Sequence, residues 1–335
     1  MKEQDTAVII RQFKDLITSG DYDFDQIAMN IFQFQSRNNM IYHNYLDLIN
    51  CYPEQVTRLE EIPFLPVQLF KFRAIQTGKW KSEAWFESSG TTGQQPSRHM
   101  VEDLSFYHRN CVRGFQNYWG DPAEWCILAL LPSYLERHHS SLVSMVDYFI
   151  RGSTYQESGF YLYDHQKLYD QLMHCQSKGI PTVLFGVAFA LTDFFEKYKM
   201  NFPGLHVIET GGMKGRREEM TREALHEFLR QRSRAQIHSE YGMTELLSQG
   251  YATGDLIFAN SSTFRARLFE REDPLVPENR EGRVGRIGVI DLANVATCSF
   301  ILTEDLGRYR QGGFTVEGRL DASEWRGCNL MVQDL

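Results

Sequence analysis

From Trp85 onward, short apolar runs alternate with amphipathic stretches, and this alternation restricts the fold more than any other feature of the chain. The runs at 125–131, 182–185 and 205–208 have the length of strands. Between and beyond them, apolar residues recur at helical spacing over 101–118, 141–151, 165–178, 187–199 and, with many charges, 215–231. Strands separated by helices predict an α/β fold of layered sheets, mainly parallel and covered by helices. Beyond Gln236 the segments shorten, and Gly282, Gly285, Gly288, Gly307, Gly312, Gly313 and Gly318 punctuate strand-like pieces. The last third is therefore predicted to be β-rich.

Before Trp85 the periodicity is that of helices. Val8, Ile9, Phe13, Leu16 and Ile17 form one stripe, ended by Ser19-Gly20. Ile27, Ile31, Phe34, Ile41, Tyr45 and Leu48 predict a longer second helical region. Residues 1–60 thus read as a helical N-terminal cap, and 61–335 as the main domain. Ile62-Pro63-Phe64-Leu65-Pro66 is too rigid for helix. No repeat, low-complexity tract or linker divides the remainder.

The partner classes are narrowed by charge and by cysteine spacing. With 35 basic against 43 acidic residues the net charge is −8, which argues against a nucleic-acid partner, since that would need a concentrated basic face. No apolar run is long enough to span a bilayer, and the polar start Met1-Lys2-Glu3-Gln4-Asp5 lacks the features of a secretory signal. The six cysteines, at 51, 111, 126, 175, 298 and 328, include no C-x-x-C pair and suit neither a zinc site nor a disulfide framework. The expectation is a soluble, reduced, cytoplasmic protein.

Three segments carry groups suited to phosphate chemistry. Ser88-Ser89-Gly90-Thr91-Thr92-Gly93 follows a strand-like piece and is dense in backbone N–H and hydroxyl donors, which can wrap phosphate oxygens. His238-Ser239-Glu240-Tyr241-Gly242-Met243-Thr244-Glu245 sets a hydroxyl and a carboxylate beside a glycine turn, suited to a phosphate and its Mg²⁺. In Thr303-Glu304-Asp305-Leu306-Gly307-Arg308, Asp305 can accept hydrogen bonds from a sugar diol, and Arg319 of Gly318-Arg319-Leu320-Asp321 can pair with ribose or phosphate. Singly, these segments read better as a polar turn, a helix N-terminus and solvated strand ends than as a site.

Their order adds information. The loop, then Gly211-Gly212-Met213, then Tyr241-Gly242-Met243-Thr244-Glu245, then Glu304-Asp305-Leu306, then Gly318-Arg319-Leu320-Asp321 with Arg326-Gly327 behind resembles the adenylate-forming superfamily of acyl-CoA synthetases and luciferases. Ile62–Pro66, Leu130-Leu131-Pro132-Ser133-Tyr134-Leu135-Glu136-Arg137 and Arg326-Gly327-Cys328 look more closely like the acyl-protein synthetases, or long-chain-fatty-acid–luciferin-component ligases. The resemblance covers nearly the whole chain from about residue 60.

That resemblance implies ATP-dependent activation of a carboxylic acid, a fatty acid by the closer likeness, as an acyl-adenylate, with ATP and Mg²⁺ as cofactors. Ser88, Ser89, Gly90, Thr91, Thr92 and Gly93 would form the phosphate loop, and Gly211 and Gly212 would lie against the adenine. Tyr241, beside Gly242, would stack on the adenine. Thr244 would touch the α-phosphate and Glu245 would bind Mg²⁺, while Asp305 would hold the ribose hydroxyls with Arg319 beside them. Arg98 stands where the superfamily's loop usually has a lysine. The resemblance further implies a chain truncated after the hinge-like motif, without the mobile C-terminal domain and its lysine. Cys328 would receive the acyl group and pass it to an acceptor protein, an acyl reductase or a carrier, and Arg326 would favour its thiolate. One of His138 and His139 would line the substrate entrance, with Phe185, Gly186, Val187 and Phe189 as tunnel candidates that read equally as core. The alternatives are an acyl-CoA or acyl-carrier ligase of phenylacetate-CoA-ligase type, and a weakly catalytic nucleotide-binding subunit.

Overall fold

Helical periodicity becomes helix over Glu3–Ser19 (α1), Phe24–Asn38 (α2) and Met40–Leu48 (α3). The single longer region expected over 27–48 is two helices, because Asn39 is extended (φ −105°, ψ 106°). Its N–H donates to the Gln35 carbonyl at 2.9 Å, closing α2, and its Oδ1 accepts from the Tyr42 N–H at 3.0 Å, opening α3. A residue that satisfies both helix ends lets the apolar stripe continue across a break. The computed structural model describes residues 3–88, 95–131, 139–211 and 220–320 and divides into two units. The first unit gathers the residues up to Asn110, Thr244–Ser248 and those from Ala259 on; the second holds Cys111–Met243 and Gln249–Phe258.

In the first unit, Leu65–Pro66 (β1) leads to Leu69–Phe72 (α4), then to a hairpin of Ala84–Glu87 (β2) and Arg98–Val101 (β3). The helix Leu104–Trp119 (α5) follows, its residues up to Asn110 counted with this unit.

The second unit realises the alternation read from the sequence. Its elements run Cys126–Leu130 (β4), Ser141–Gly152 (α6), Gly159–Phe160 (β5), His165–Lys178 (α7), Thr182–Gly186 (β6), Ala188–Lys197 (α8), Leu205–Glu209 (β7), Arg222–Ser233 (α9), Gln236–Tyr241 (β8) and Gly250–Ala252 (β9). The strands form one six-stranded sheet ordered β5-β4-β6-β7-β8-β9, parallel except for β9. Every residue of β4 and β6 is buried, as expected of strands covered on both faces. The charged helix α9 starts at Arg222, where Thr221 caps it by accepting from the Ala224 N–H at 3.2 Å.

The β-rich last third belongs to the first unit from Ala259 on, while β8 and β9 complete the sheet of the second. Phe264–Phe269 (β10), Gly285–Asp291 (β11), Phe300–Arg310 (β12) and Gly313–Arg319 (β13) are antiparallel in succession, and β1 joins β12 in parallel through Leu65–Ile301 and Pro66–Leu302. The rigid Ile62–Pro66 segment is thus partly an edge strand, a place where proline is tolerated. Phe32, Tyr42, Phe64, Phe269 and Phe300 pack together at centroid separations of 4.8–6.3 Å, tying α2 and α3 to this sheet. Burying each ring contributes about 2 kcal/mol.

The N-terminal helices do more than cover the sheet. The fully buried Gln35 donates to the carbonyls of Asn294 and Val295 at 3.0 Å each, and accepts from the Ser299 N–H at 2.9 Å. Asn39 and Thr77 both donate to the Thr297 carbonyl, at 2.8 and 2.5 Å. These bonds fix the short turn over 292–299, whose side chains reach the candidate site.

Candidate functional site

Ser97 joins two of the motifs found in the sequence. The β2/β3 hairpin sets it opposite Ser88: the Ser88 N–H donates to the Ser97 carbonyl at 3.1 Å, and the Ser97 N–H donates to Ser88 Oγ at 2.9 Å. The Ser97 hydroxyl in turn donates to Glu245 Oε1. Glu245 is 5% exposed. Burial pushes its carboxyl above the usual range, opposed by the Ser97 hydroxyl and by Arg319, while Glu304 adds to the rise. The charges on β12 and β13 therefore bear on the same carboxylate.

The backbone around Glu245 is held from several sides. Asn294 Nδ2 donates to the Glu245 carbonyl at 2.8 Å. Asp291 accepts from the N–H groups of Leu247 and Ser248 at 2.7 and 3.0 Å and from the Ser248 hydroxyl at 2.6 Å. His99 Nδ1 lies 3.0 Å from the Thr244 carbonyl and its Nε2 3.0 Å from Thr297 Oγ1. A carbonyl only accepts, so Nδ1 carries the proton and Nε2 accepts from the threonine. Burial drives His99 down to about 4 against the pull of the Thr244 carbonyl, so the ring is neutral. Residues 244–248 form turns and no helix, which removes the alternative of an ordinary helix start.

Asp305 and Arg319 face each other in register across β12 and β13, with Arg319 Nε donating to Asp305 Oδ1 at 2.9 Å. The aspartate side chain is 9% exposed and the arginine 70%, so the pair presents its cation outward. Arg98 is also outward, 66% exposed, and donates to Glu87 at 2.7 Å across the hairpin. Ser88, Arg98, Thr244, Glu245, Asp305 and Arg319 all belong to the first unit.

Gly211, Tyr241 and Gly242 belong to the second unit, at the C-terminal ends of the paired parallel strands β7 and β8. Ligands of open α/β sheets gather at such ends. Gly211 takes a left-handed φ of 72° and donates its N–H to Glu209 Oε2 at 2.7 Å. Tyr241 is 6% exposed and meets Phe258 with centroids 5.8 Å apart. At Gly242 a Cβ would lie 2.2 Å from Glu240 Oε1, so a side chain there would require the Glu240 carboxyl to move.

Glu240 is buried, and burial together with the charge of Glu209 pushes it up to about 8, with Arg222 opposing. Its folded value exceeds the ordinary 4.5, so the stability it contributes is full below about 4.5 and is lost as pH rises through about 8. Between those values wild type should lose up to about 1.4 kcal/mol per pH unit relative to Glu240→Gln in denaturant unfolding. Parallel pH profiles for the two proteins would mean that Glu240 titrates normally.

Ser89, Gly90, Thr91, Thr92, Gly93, Gly212, Met213, His138 and Cys328 lie outside the described residues. Cys111, Cys126, Cys175 and Cys298 are buried and Cys51 is partly so. Of the tunnel candidates, Phe185 packs against Phe115 and Phe149 at 6.4 and 6.2 Å, and Val187 and Phe189 are buried. Among the described residues no three side chains are grouped to hold a metal ion, and no helix is long and apolar enough to cross a membrane. Sequence motifs did not reveal Ser97, His99, Asp291, Asn294 or Thr297, whose parts depend on tertiary hydrogen bonds. Glu209 left one trace, a carboxylate at the end of an apolar strand two residues before a glycine pair.

No family model matches the sequence, and no curated protein matches it. Solved structures do. The 2-hydroxyisobutyryl-CoA ligase in a postadenylation state with R3-HIB-AMP superposes with a TM-score of 0.64 at 10% identity, covering 88% of this chain and 67% of that one. The O-succinylbenzoate coenzyme A synthetase MenE from Bacillus subtilis, in complex with ATP and magnesium ion, gives 0.52 at 17%, covering 88% and 62%. Apo MatB from Rhodopseudomonas palustris gives 0.50 at 18%, covering 70% and 47%. The chain has the fold of the adenylate-forming ligases. It spans about half to two thirds of the length of these relatives.

Proposed function

We propose that the protein activates a carboxylic acid with ATP, forming an acyl-adenylate. A carboxylate oxygen attacks the α-phosphorus, a new P–O bond forms, and the bond to pyrophosphate breaks with pyrophosphate leaving. Such a step needs positioning and charge neutralisation, with no protein base. Supporting this is the meeting in one unit of Ser88, Thr244, Glu245, Asp305 and Arg319, with Ser97 joining the first motif to the second. Isolated polar turns would have no reason to share such a network.

The donor set suits Mg²⁺, which favours one or two carboxylates together with phosphate oxygens. Glu245 fits because its buried carboxylate has one hydroxyl donor and no cation bonded to it among the described residues. Mg²⁺ at this carboxylate would supply charge neutralisation on the phosphates. In this chain Ser97 and Asn294 orient Glu245, His99 holds the backbone carbonyl of Thr244, and Asp305 would accept from the ribose. The finer reading adds a fatty acid as substrate and Cys328 as the first acceptor before a partner protein, and it rests on the resemblance of the sequence motifs.

The test is acid-dependent exchange of pyrophosphate into ATP across a series of carboxylic acids. Asp305→Asn should raise the KM for ATP about tenfold or more, the loss expected for a charged hydrogen bond. Its effect on stability should be small, because the Arg319 partner is 70% exposed. If no acid supports exchange, a non-catalytic nucleotide-binding subunit becomes the better account.

A further inference from the structure

We propose that Glu209, Arg222 and Phe258 form a strut that sets Tyr241 at a fixed separation from the Gly211 turn, and so controls how tightly a planar base is held without touching it. This deepens the nucleotide reading above and rests on it. All the residues concerned lie in the second unit.

Glu209 is 1% exposed, and a carboxylate so deep is tolerated only when paired and hydrogen-bonded. Its two oxygens serve different elements. Oε2 accepts from the Gly211 N–H at 2.7 Å, and Oε1 lies 2.9 Å from Nε of Arg222, the first residue of α9. Burial favours its neutral form, but His226, Arg222, Ser239 and the Gly211 N–H outweigh that and hold it ionised. The Gly211 turn is therefore tied through this carboxylate to the Arg222 guanidinium, by a hydrogen bond at Oε2 and by a buried ion-pair contact without hydrogen-bond geometry at Oε1.

The guanidinium also meets Phe258. Arg222 Cζ stands 5.2 Å from the centre of the Phe258 ring, within cation–π range. Its Nη1 is buried and bonded to none of the described residues. Phe258 is fully buried, and its ring meets Tyr241 at 5.8 Å with the planes inclined by 62°. In a close-packed interior a ring so backed moves only if its neighbour moves. The Gly211 turn at one end and the Tyr241 ring at the other are thus set by one ion pair and two ring contacts. Base-on-ring stacking is worth about 1–3 kcal/mol and depends on alignment.

Full-length wild type, Phe258→Leu, Arg222→Lys and the double variant are compared by pyrophosphate exchange and by calorimetric titration with MgATP. Lysine keeps the charge opposite Glu209 but offers no planar face, so it tests the strut with the ion pair retained. Phe258→Leu should raise the KM for ATP about tenfold while kcat and the KM for the acid stay within about twofold, and the double variant should be little worse than either single one. Should Phe258→Leu fail to fold, Arg222→Lys carries the same expectation. Unchanged ATP affinity in the variants, or a parallel loss in kcat and both KM values, would overturn the strut while leaving nucleotide binding intact. Wild type that neither binds MgATP nor exchanges pyrophosphate would overturn the nucleotide reading and the strut together.

Discussion

Glu245→Gln should slow pyrophosphate exchange by about 10²-fold or more, with the fold unchanged. Glutamine has the shape of glutamate, and its amide oxygen can still accept from the Ser97 hydroxyl that now bonds Oε1. The backbone of the turn is secured independently by Asn294 and Asp291, so the substitution removes a charge and little else. The charge matters because the side chain is 5% exposed, so that burial raises the carboxyl pKa and disfavours the ion unless a cation accompanies it. Mg²⁺ titration at fixed ATP should show a higher half-saturating Mg²⁺ concentration in the variant. A normal exchange rate with a normal Mg²⁺ dependence would leave Glu245 as an acceptor for Ser97 and nothing more.

How far such a site can be read from sequence depends on which interactions are local. The helix α7 matches its periodicity over 165–178 because both ends are written nearby, Asp164 accepting from the Lys167 N–H and Gly179 taking φ 65°. The break at Asn39 was hidden because one side chain caps the second helix while the apolar stripe runs on. The motifs at Ser88, Glu245 and Asp305 were legible as chemistry-bearing residue types, and the Asp305–Arg319 pair follows from a hairpin register. Ser97 and His99 were not, since serine and histidine carry no signal until the fold brings residues 148 and 145 positions away against them. The N-terminus reads in the sequence only as a helical cap, yet Gln35 and Asn39 hold the 292–299 turn on which Asn294 and Thr297 stand.

Cys328→Ser should abolish a covalent acyl label while leaving pyrophosphate exchange intact, if the finer reading of the function holds. A thiolate attacks the acyl carbonyl of the adenylate, a C–S bond forms, and the C–O bond to AMP breaks with AMP leaving. Nothing in the adenylation step uses the thiol, so the two half-reactions separate cleanly. Cys328 follows Gly327 and stands two residues from Arg326, a setting that favours the thiolate. Four of the other five cysteines are buried, where thiols behave as small apolar side chains. Wild type incubated with a radiolabelled long-chain fatty acid, ATP and Mg²⁺ should retain label that neutral hydroxylamine removes, and the serine variant should retain none of that kind. Equal labelling of both proteins would place the acyl group on another residue. Absence of label in wild type that exchanges normally would move the acceptor off the chain, and consumption of coenzyme A or loading of a carrier protein would then identify it.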